Sequence, residues 1–201
     1  MTTECSYAKP CTVLLVEDNL EHAELAIYAL RKAREAAFEV EHVDQLSAAL
    51  ARLARGGIDV ALIDLSLPDS NGMETFQAIR AAAPGVPIVV FTGMEDEKFV
   101  LEMLHQGAQD YLLKHEVEPR LLARSLRFAI ERQRNAALEE CIQKLPAAER
   151  ILIQQRYQGA ADIEELIQTC GMSRRTLFRT LQRIRRLLHD CINQRVAAES
   201  P

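Results

Sequence analysis

Long apolar runs, a secretion signal and glycine-rich loops are absent from this sequence. No run reaches the roughly 18 apolar residues that a membrane-spanning helix needs. The N-terminal segment carries one lysine and a short apolar stretch, Thr12–Val16, which is too short for the core of a secretion signal. We therefore expect a cytoplasmic protein with no membrane partner.

Cysteine pairs with metal-binding or disulfide spacing are also missing. The five cysteines, at positions 5, 11, 141, 170 and 191, are odd in number and scattered. No CxxC pair and no cluster of cysteine with histidine occurs. The sequence therefore predicts neither a zinc site nor a disulfide framework, and we expect reduced thiols.

The composition is that of a globular protein with an uneven charge. The chain has 201 residues, of which 48% are hydrophobic and 26% charged, with a net charge of -5. These values exclude a wholly disordered or fibrous chain. Residues 1–135 carry 21 acidic against 14 basic side chains, whereas residues 173–195 carry seven arginines and a single acid, Asp190. This split indicates two modules with different partners.

The first module alternates five short strands with five helices. The predicted strands are 12–16, 38–43, 58–63, 87–91 and 110–113. The predicted helices are about 19–37, 47–56, 72–82, 95–105 and a long one from 118. Such alternation predicts a doubly wound α/β fold, with a five-stranded parallel sheet covered by helices on both faces.

Functional side chains of such a sheet lie at the carboxyl ends of its strands. Glu17 and Asp18 follow the first predicted strand, Asp64 follows the third, and Thr92 and Lys114 follow the fourth and fifth. Carboxylates that meet at one edge favour a hard divalent cation such as Mg²⁺, and a threonine with a lysine suits a phosphoryl group. No glycine-rich loop follows the first strand, which excludes a dinucleotide site or a P-loop.

Four segments, VLLVEDN, LIDLSLPDSNGMET, IVVFTG and GAQDYLLKH, resemble the motifs of bacterial response-regulator receiver domains. The resemblance covers about residues 10–134 and implies a flavodoxin-like sheet with strand order 2-1-3-4-5. It also implies that Asp64 accepts a phosphoryl group from a histidine kinase or a phosphotransfer protein. A metal-dependent phosphatase is the weaker alternative for the same acidic cluster, and we expect no enzyme that turns over an external substrate.

The resemblance also assigns the remaining site residues. The implied Mg²⁺ ligands are Glu17, Asp18, Asp64 and the backbone carbonyl of Ser66. The implied phosphoryl-binding and switch residues are Thr92, Lys114 and Tyr111. One position departs from the family, because His115 follows the lysine where proline is usual. A cis peptide without proline costs about 2.5–4 kcal/mol, so we expect a trans peptide here.

The second module is predicted to be helical. We place the domains at residues 1–134 and 135–201, joined by a linker helix of about 118–145 that no glycine or proline interrupts between its first turn and Pro146. Helices are predicted over Ala147–Tyr157, after Asp162 and after Ser173. A short turn with Gly171 separates the last two helices, which is the helix-turn-helix pattern.

The last helix combines an apolar stripe with a basic face. Leu177, Leu181, Ile184 and Leu188 are predicted to be buried. Six side chains are predicted to point away from this stripe and to contact duplex DNA: Arg174, Arg175, Arg179, Gln182, Arg183 and Arg186. Arginine and glutamine are the side chains that read guanine and adenine edges.

The segment from 139 to 192 resembles region 4 of extracytoplasmic-function sigma factors. The part of those proteins that grips core polymerase has no counterpart here, so we do not expect a complete sigma factor. The sequence predicts a response regulator whose phosphorylation alters dimerisation or frees a DNA-binding module that regulates transcription. The alternative is a phosphorylation-switched module that binds an anti-sigma factor or RNA polymerase instead of DNA.

Overall fold

The structure of the protein is a computed structural model that describes residues 10–33, 37–93, 97–157, 159 and 162–198. The described chain divides into two compact units, one reaching to Gln133 and the other spanning Arg134–Ala198. Within this described part, no helix is both long and apolar enough to cross a membrane.

The first unit is built on a parallel sheet. The strands, in chain order, are β1 (Cys11–Val16), β2 (Phe38–Val43), β3 (Val60–Ile63), β4 (Ser66–Leu67), β5 (Ser70–Asn71), β6 (Ile88–Thr92) and β7 (Asp110–Leu113). Five of them form one parallel sheet in the order β2-β1-β3-β6-β7, and β4 pairs with β5 in a small hairpin. Numbering only the strands of the large sheet gives 2-1-3-4-5, so the predicted fold and strand order are confirmed.

Helices follow the strands, as the alternation predicted. They are α1 (Leu20–Lys32), α2 (Leu46–Leu53), α3 (Met73–Ala82), α4 (Glu97–His105), α5 (Pro119–Gln143), α6 (Ala147–Tyr157), α7 (Ile163–Cys170) and α8 (Arg174–Ala198). Asn19 caps α1, since its side chain accepts hydrogen bonds from two backbone N–H groups. That helix ends at Lys32, earlier than predicted, because Ala33 is extended. The predicted start of α4 at residue 95 lies outside the described residues.

The central strands are buried on both faces, which explains their continuous apolar sequence. Val13 and Leu15 of β1 face a cluster that includes Leu126 of α5. Leu14 and Val16 point to the opposite face, into a cluster with residues of α2 and α3. Successive side chains of a strand alternate between faces, so β1 binds both helix layers and fixes the sheet between them.

The second unit is a small helical core formed by α6, α7, α8 and the end of α5. Its buried side chains are Leu145, Leu152, Ile153, Leu166, Leu177, Leu181 and Ile184. The predicted stripe on α8 is therefore buried, with Leu188 half-buried at its edge. Asp162 and Glu165 form a capping box at the start of α7, and Gly171 ends that helix in the left-handed region with φ 62°.

The expectation that all cysteines are reduced is wrong for one pair. Cys141 of α5 and Cys191 of α8 form a disulfide, with their Cα atoms 6.1 Å apart and a separation of 50 positions in sequence. Both cysteines lie in the second unit. Their spacing carried no sign of pairing, because the bridge depends on two helices meeting side by side rather than on a local motif.

Candidate functional site

The polar side chains that follow the strands meet at the carboxyl edge of the sheet. Lys114 follows β7, and its Nζ lies 2.6 Å from Asp64 Oδ2 and 2.8 Å from Glu17 Oε1. The side chain of Glu17 is fully buried, and those of Asp64 and Lys114 are 6% and 10% exposed. One ammonium therefore bridges two carboxylates in a largely desolvated place. A buried charge without a partner of opposite charge would be strongly destabilising there.

Asp18 completes an acidic cluster at this edge. One oxygen each from Glu17, Asp18 and Asp64 lies within 4.8 Å of the others. Burial raises the pKa of Glu17, and the charge of Asp64 acts in the same direction, while the hydrogen bond from Lys114 opposes both. A single lysine thus leaves negative charge uncompensated in the cluster.

The cluster has an unused acceptor. Glu17 Oε2 is buried and lies 2.8 Å from Lys114 Nζ, outside the direction of a hydrogen bond. Among the described residues, none donates a hydrogen bond to this oxygen. Three carboxylates, one of them with a buried oxygen that accepts no hydrogen bond, match the oxygen ligands that a hard divalent cation such as Mg²⁺ takes in proteins.

The loop after Asp64 is held by its own hydrogen bonds. Ser66 donates its backbone N–H to Asp64 Oδ1 at 3.2 Å, which keeps Ser66 beside the cluster. Thr75 of α3 is fully buried and donates its hydroxyl to the carbonyl of Leu65 at 3.2 Å. These contacts fix the direction in which Asp64 presents its carboxylate.

The loop after Asp64 is also hydrogen-bonded to the start of α2. The N-cap residue of α2, Gln45, gives no side-chain cap. Asp69 supplies it instead, accepting the backbone N–H of Leu46 at 2.8 Å and that of Ser47 at 2.9 Å. These hydrogen bonds lower the pKa of Asp69. The loop that follows Asp64 is thereby joined to the start of a helix.

Thr92 and Tyr111 lie on the neighbouring strands β6 and β7. Thr92 is buried and pairs with Leu113, the residue before Lys114. Tyr111 pairs with Val90, and its side chain is 40% exposed. The structure therefore places Thr92 at the same carboxyl edge of the sheet as Lys114 and leaves Tyr111 partly exposed to solvent.

A family model for the response regulator receiver domain matches residues 13–126, more than half of the chain. The protein belongs to the response regulator receiver family. The matched residues lie within the first unit.

Curated relatives agree with this membership. The swarming motility regulation protein RssB of Serratia marcescens is 35% identical over 112 residues, which cover 56% of this chain and 50% of that protein. The transcriptional regulatory protein CusR of Escherichia coli is 32% identical over 112 residues, covering 56% of this chain and 48% of that protein. The matched region spans about half the length of these relatives.

Solved structures show the same fold. A putative response regulator from Chloroflexus aurantiacus is 27% identical, with a TM-score of 0.55, and the match covers 61% of this chain and 99% of that one. A CheY-like receiver domain protein from Methanospirillum hungatei is 24% identical, with a TM-score of 0.56, over 64% of this chain and 99% of that one.

The receiver also contains a residue at the site that the sequence motifs did not single out. His22 lies in the first turn of α1, and its Nδ1 is 3.4 Å from Lys114 Nζ and 3.5 Å from Glu17 Oε1. The sequence did contain a signal for this residue, because His22 lies four positions after Asp18 on a helix that Asn19 caps. The peptide between Lys114 and the exposed His115 is trans, as expected.

The predicted DNA-contacting side chains of α8, outside the receiver, are all exposed. Two of them make contacts within the second unit: Arg174 lies 3.5 Å from Glu164, and Arg183 pairs with Glu149. Within the part of the chain that the structure describes, the other three arginines of the set have no ion-pair partner: Arg175, Arg179 and Arg186. The exposed face of α8 is therefore basic and largely unengaged.

Proposed function

We propose that this protein is a response regulator in which Asp64 accepts a phosphoryl group and the C-terminal helices bind DNA in response. The observation that carries the first part is the contact of Lys114 with both Glu17 and Asp64 at the carboxyl edge of the sheet. The buried carboxylate of Asp64, paired with Lys114 at this edge of a receiver-family sheet, is the acceptor group that phosphoryl transfer requires.

The transfer is an in-line displacement at phosphorus. A carboxylate oxygen of Asp64 forms a bond to the phosphorus while the bond from phosphorus to the imidazole nitrogen of a kinase phosphohistidine breaks, and the imidazole leaves. Catalysis of this kind is mostly positioning and charge stabilisation. Glu17, Asp18, Asp64 and the Ser66 carbonyl would hold Mg²⁺, which when bound neutralises charge on the phosphoryl oxygens.

The receiver's own side chains then hold the product. Lys114 exchanges its contact with Asp64 Oδ2 for a phosphoryl oxygen, keeping its bond to Glu17. The Thr92 hydroxyl donates to a second phosphoryl oxygen. Tyr111, with its ring in solvent, is the aromatic side chain that changes position as Thr92 is drawn in.

The output is sequence-dependent binding to duplex DNA. Helix α8 follows a short turn after α7, and the second helix of such a pair enters the major groove with its N-terminal residues on base edges. Arg175, Arg179 and Gln182 lie on the exposed face near this end. Phosphorylation changes dimerisation of the receiver or frees this face for DNA.

A second candidate output is protein binding. Phe178 and Leu187 are 48% and 46% exposed on α8, next to the arginines. Large exposed apolar side chains beside basic ones suit a protein interface, for example with an anti-sigma factor or RNA polymerase. Binding to duplex DNA that falls steeply with salt and prefers one sequence supports the DNA output, and its absence supports the protein output.

Phosphorylation is tested with acetyl phosphate and Mg²⁺, measuring by mass spectrometry the mass that one phosphoryl group adds to the intact protein. The wild type gains this mass, and Asp64→Asn does not. Asp44→Asn is the matched control, because Asp44 follows β2 at the same edge but lies outside the acidic cluster. Equal labelling of the Asp64 variant and the wild type would overturn the assignment.

A further inference from the structure

We propose that His22 is a positioning residue that holds the Lys114 ammonium in place for phosphoryl transfer. The inference rests on the proposed role of Asp64 and concerns the same site. It starts from the position of His22, which lies in the first turn of α1, three residues after its cap Asn19. The histidine side chain is 41% exposed, so its ring stands at the mouth of the site between solvent and the buried lysine.

The ammonium of Lys114 has three N–H donors. Two of them reach Glu17 Oε1 at 2.8 Å and Asp64 Oδ2 at 2.6 Å. The third faces His22 Nδ1 at 3.4 Å. All three donors of the lysine are thus directed at acceptors, and the histidine provides the one acceptor that is not a carboxylate.

The contact has a defined direction. A ring nitrogen that accepts a hydrogen bond from an ammonium does so with its lone pair, so the proposed contact has the lone pair of His22 Nδ1 directed at Lys114 Nζ. Because Nδ1 also lies 3.5 Å from Glu17 Oε1, the two acceptors converge on the same ammonium from the side of β1 and α1. Asp64 approaches from β3.

Phosphorylation changes only one of the three contacts. Asp64 Oδ2 gives way to a phosphoryl oxygen, whereas Glu17 and His22 stay where β1 and α1 place them. A lysine has a long flexible side chain, so two fixed acceptors restrict where its ammonium can go. His22 therefore keeps the third N–H of Lys114 from turning to water and leaves one donor aimed at the reacting group.

The effect of removing this contact is modest, because the hydrogen bond is long and half exposed. Hydrogen bonds of ordinary strength correspond to a change in rate of about two- to tenfold. We expect His22→Leu, which fills a similar volume without an acceptor, to slow labelling of Asp64 by acetyl phosphate by this factor. His22→Asn places an amide oxygen near the position of Nδ1, so it labels faster than His22→Leu and close to the wild-type rate.

The control for loss of an exposed histidine is His105→Leu at the end of α4, away from the carboxyl edge; it labels at the wild-type rate. The melting temperature of each variant shows whether the receiver remains folded. A rate that falls equally in His22→Leu and His22→Asn overturns the proposal, since the acceptor would then not matter. An unchanged rate in His22→Leu overturns it as well.

A double-mutant cycle tests whether His22 acts through Lys114. In the Lys114→Ala background, replacing His22 by leucine has no further effect on the labelling rate if the two side chains form one unit. Full additivity overturns the proposal. Failure of the wild type itself to label at Asp64 rejects both the proposed function and this inference, whereas labelling of the wild type with an inert His22→Leu change rejects the inference alone.

Discussion

Reduction of the Cys141–Cys191 disulfide is expected to destabilise the second unit and to leave the receiver unchanged. The bridge joins α5 to α8 across 50 residues of sequence. In the chain-entropy model, closing a loop of this length restricts the unfolded chain by about 4 kcal/mol. Folded domains are typically stable by roughly 0.05–0.15 kcal/mol per residue, so in a unit this small the bridge supplies a large share of the free energy of unfolding.

Hydrogen exchange measured by mass spectrometry on the full-length protein separates the two units. Peptides from α6, α7 and the first half of α8 lose protection on reduction, and peptides from β1 and β3 keep theirs. A Cys141→Ala, Cys191→Ala variant exchanges like the reduced wild type. Reductant has no effect on that variant, which shows that the bridge is the element that reduction acts on.

Two outcomes would refute this reasoning. An unreduced digest without a peptide linked through Cys141 and Cys191 would show that the bridge does not form. If the linked peptide is present and protection of the second unit changes by less than about 0.5 kcal/mol on reduction, the loop-entropy argument is wrong, since that model requires several times more.

Three further predictions concern single side chains. Asp69→Asn lowers the urea midpoint of the receiver at neutral pH, because the pKa of Asp69 is lowered in the folded state and its ionised form caps α2. The stability that this cap contributes is present above the unfolded pKa of about 4 and is lost as the pH falls through the folded pKa. The stability of the variant therefore depends less on pH than that of the wild type. Asp18→Asn raises the Mg²⁺ concentration needed for half-maximal labelling, and an unchanged requirement would exclude Asp18 as a ligand. Arg179→Ala costs about 1–3 kcal/mol at a cognate DNA site and relaxes sequence preference, whereas Arg186→Ala, toward the helix C-terminus, weakens all sequences equally and reduces the salt slope by about one. Unchanged DNA affinity in both folded arginine variants would favour the protein-binding output.

The sequence predicted the sheet, and the edge at which its polar residues meet, because both depend on order along the chain. Strands β1, β3, β6 and β7 are parallel, so the residue that follows each strand reaches the same edge whatever the exact strand limits are. An error of two residues at the start of β3 therefore did not displace Asp64. The buried stripe of α8 was equally accessible, since helical periodicity places Leu177 and Ile184 on one face without reference to another element.

The contacts that were not predicted all join elements that are distant in sequence. His22 and Lys114 are 92 residues apart, and their contact depends on how α1 is rotated against the end of β7. The cap that Asp69 provides to α2 joins the turn of the β4–β5 hairpin to a helix start 23 residues earlier in the chain. Local patterns set which side chains lie on a strand end or a helix face, but the rotation of one packed element against another sets which of them meet. Topology therefore brings both Asp64 and Lys114 to the same edge of the sheet, whereas the packing of α1 brings His22 to the lysine.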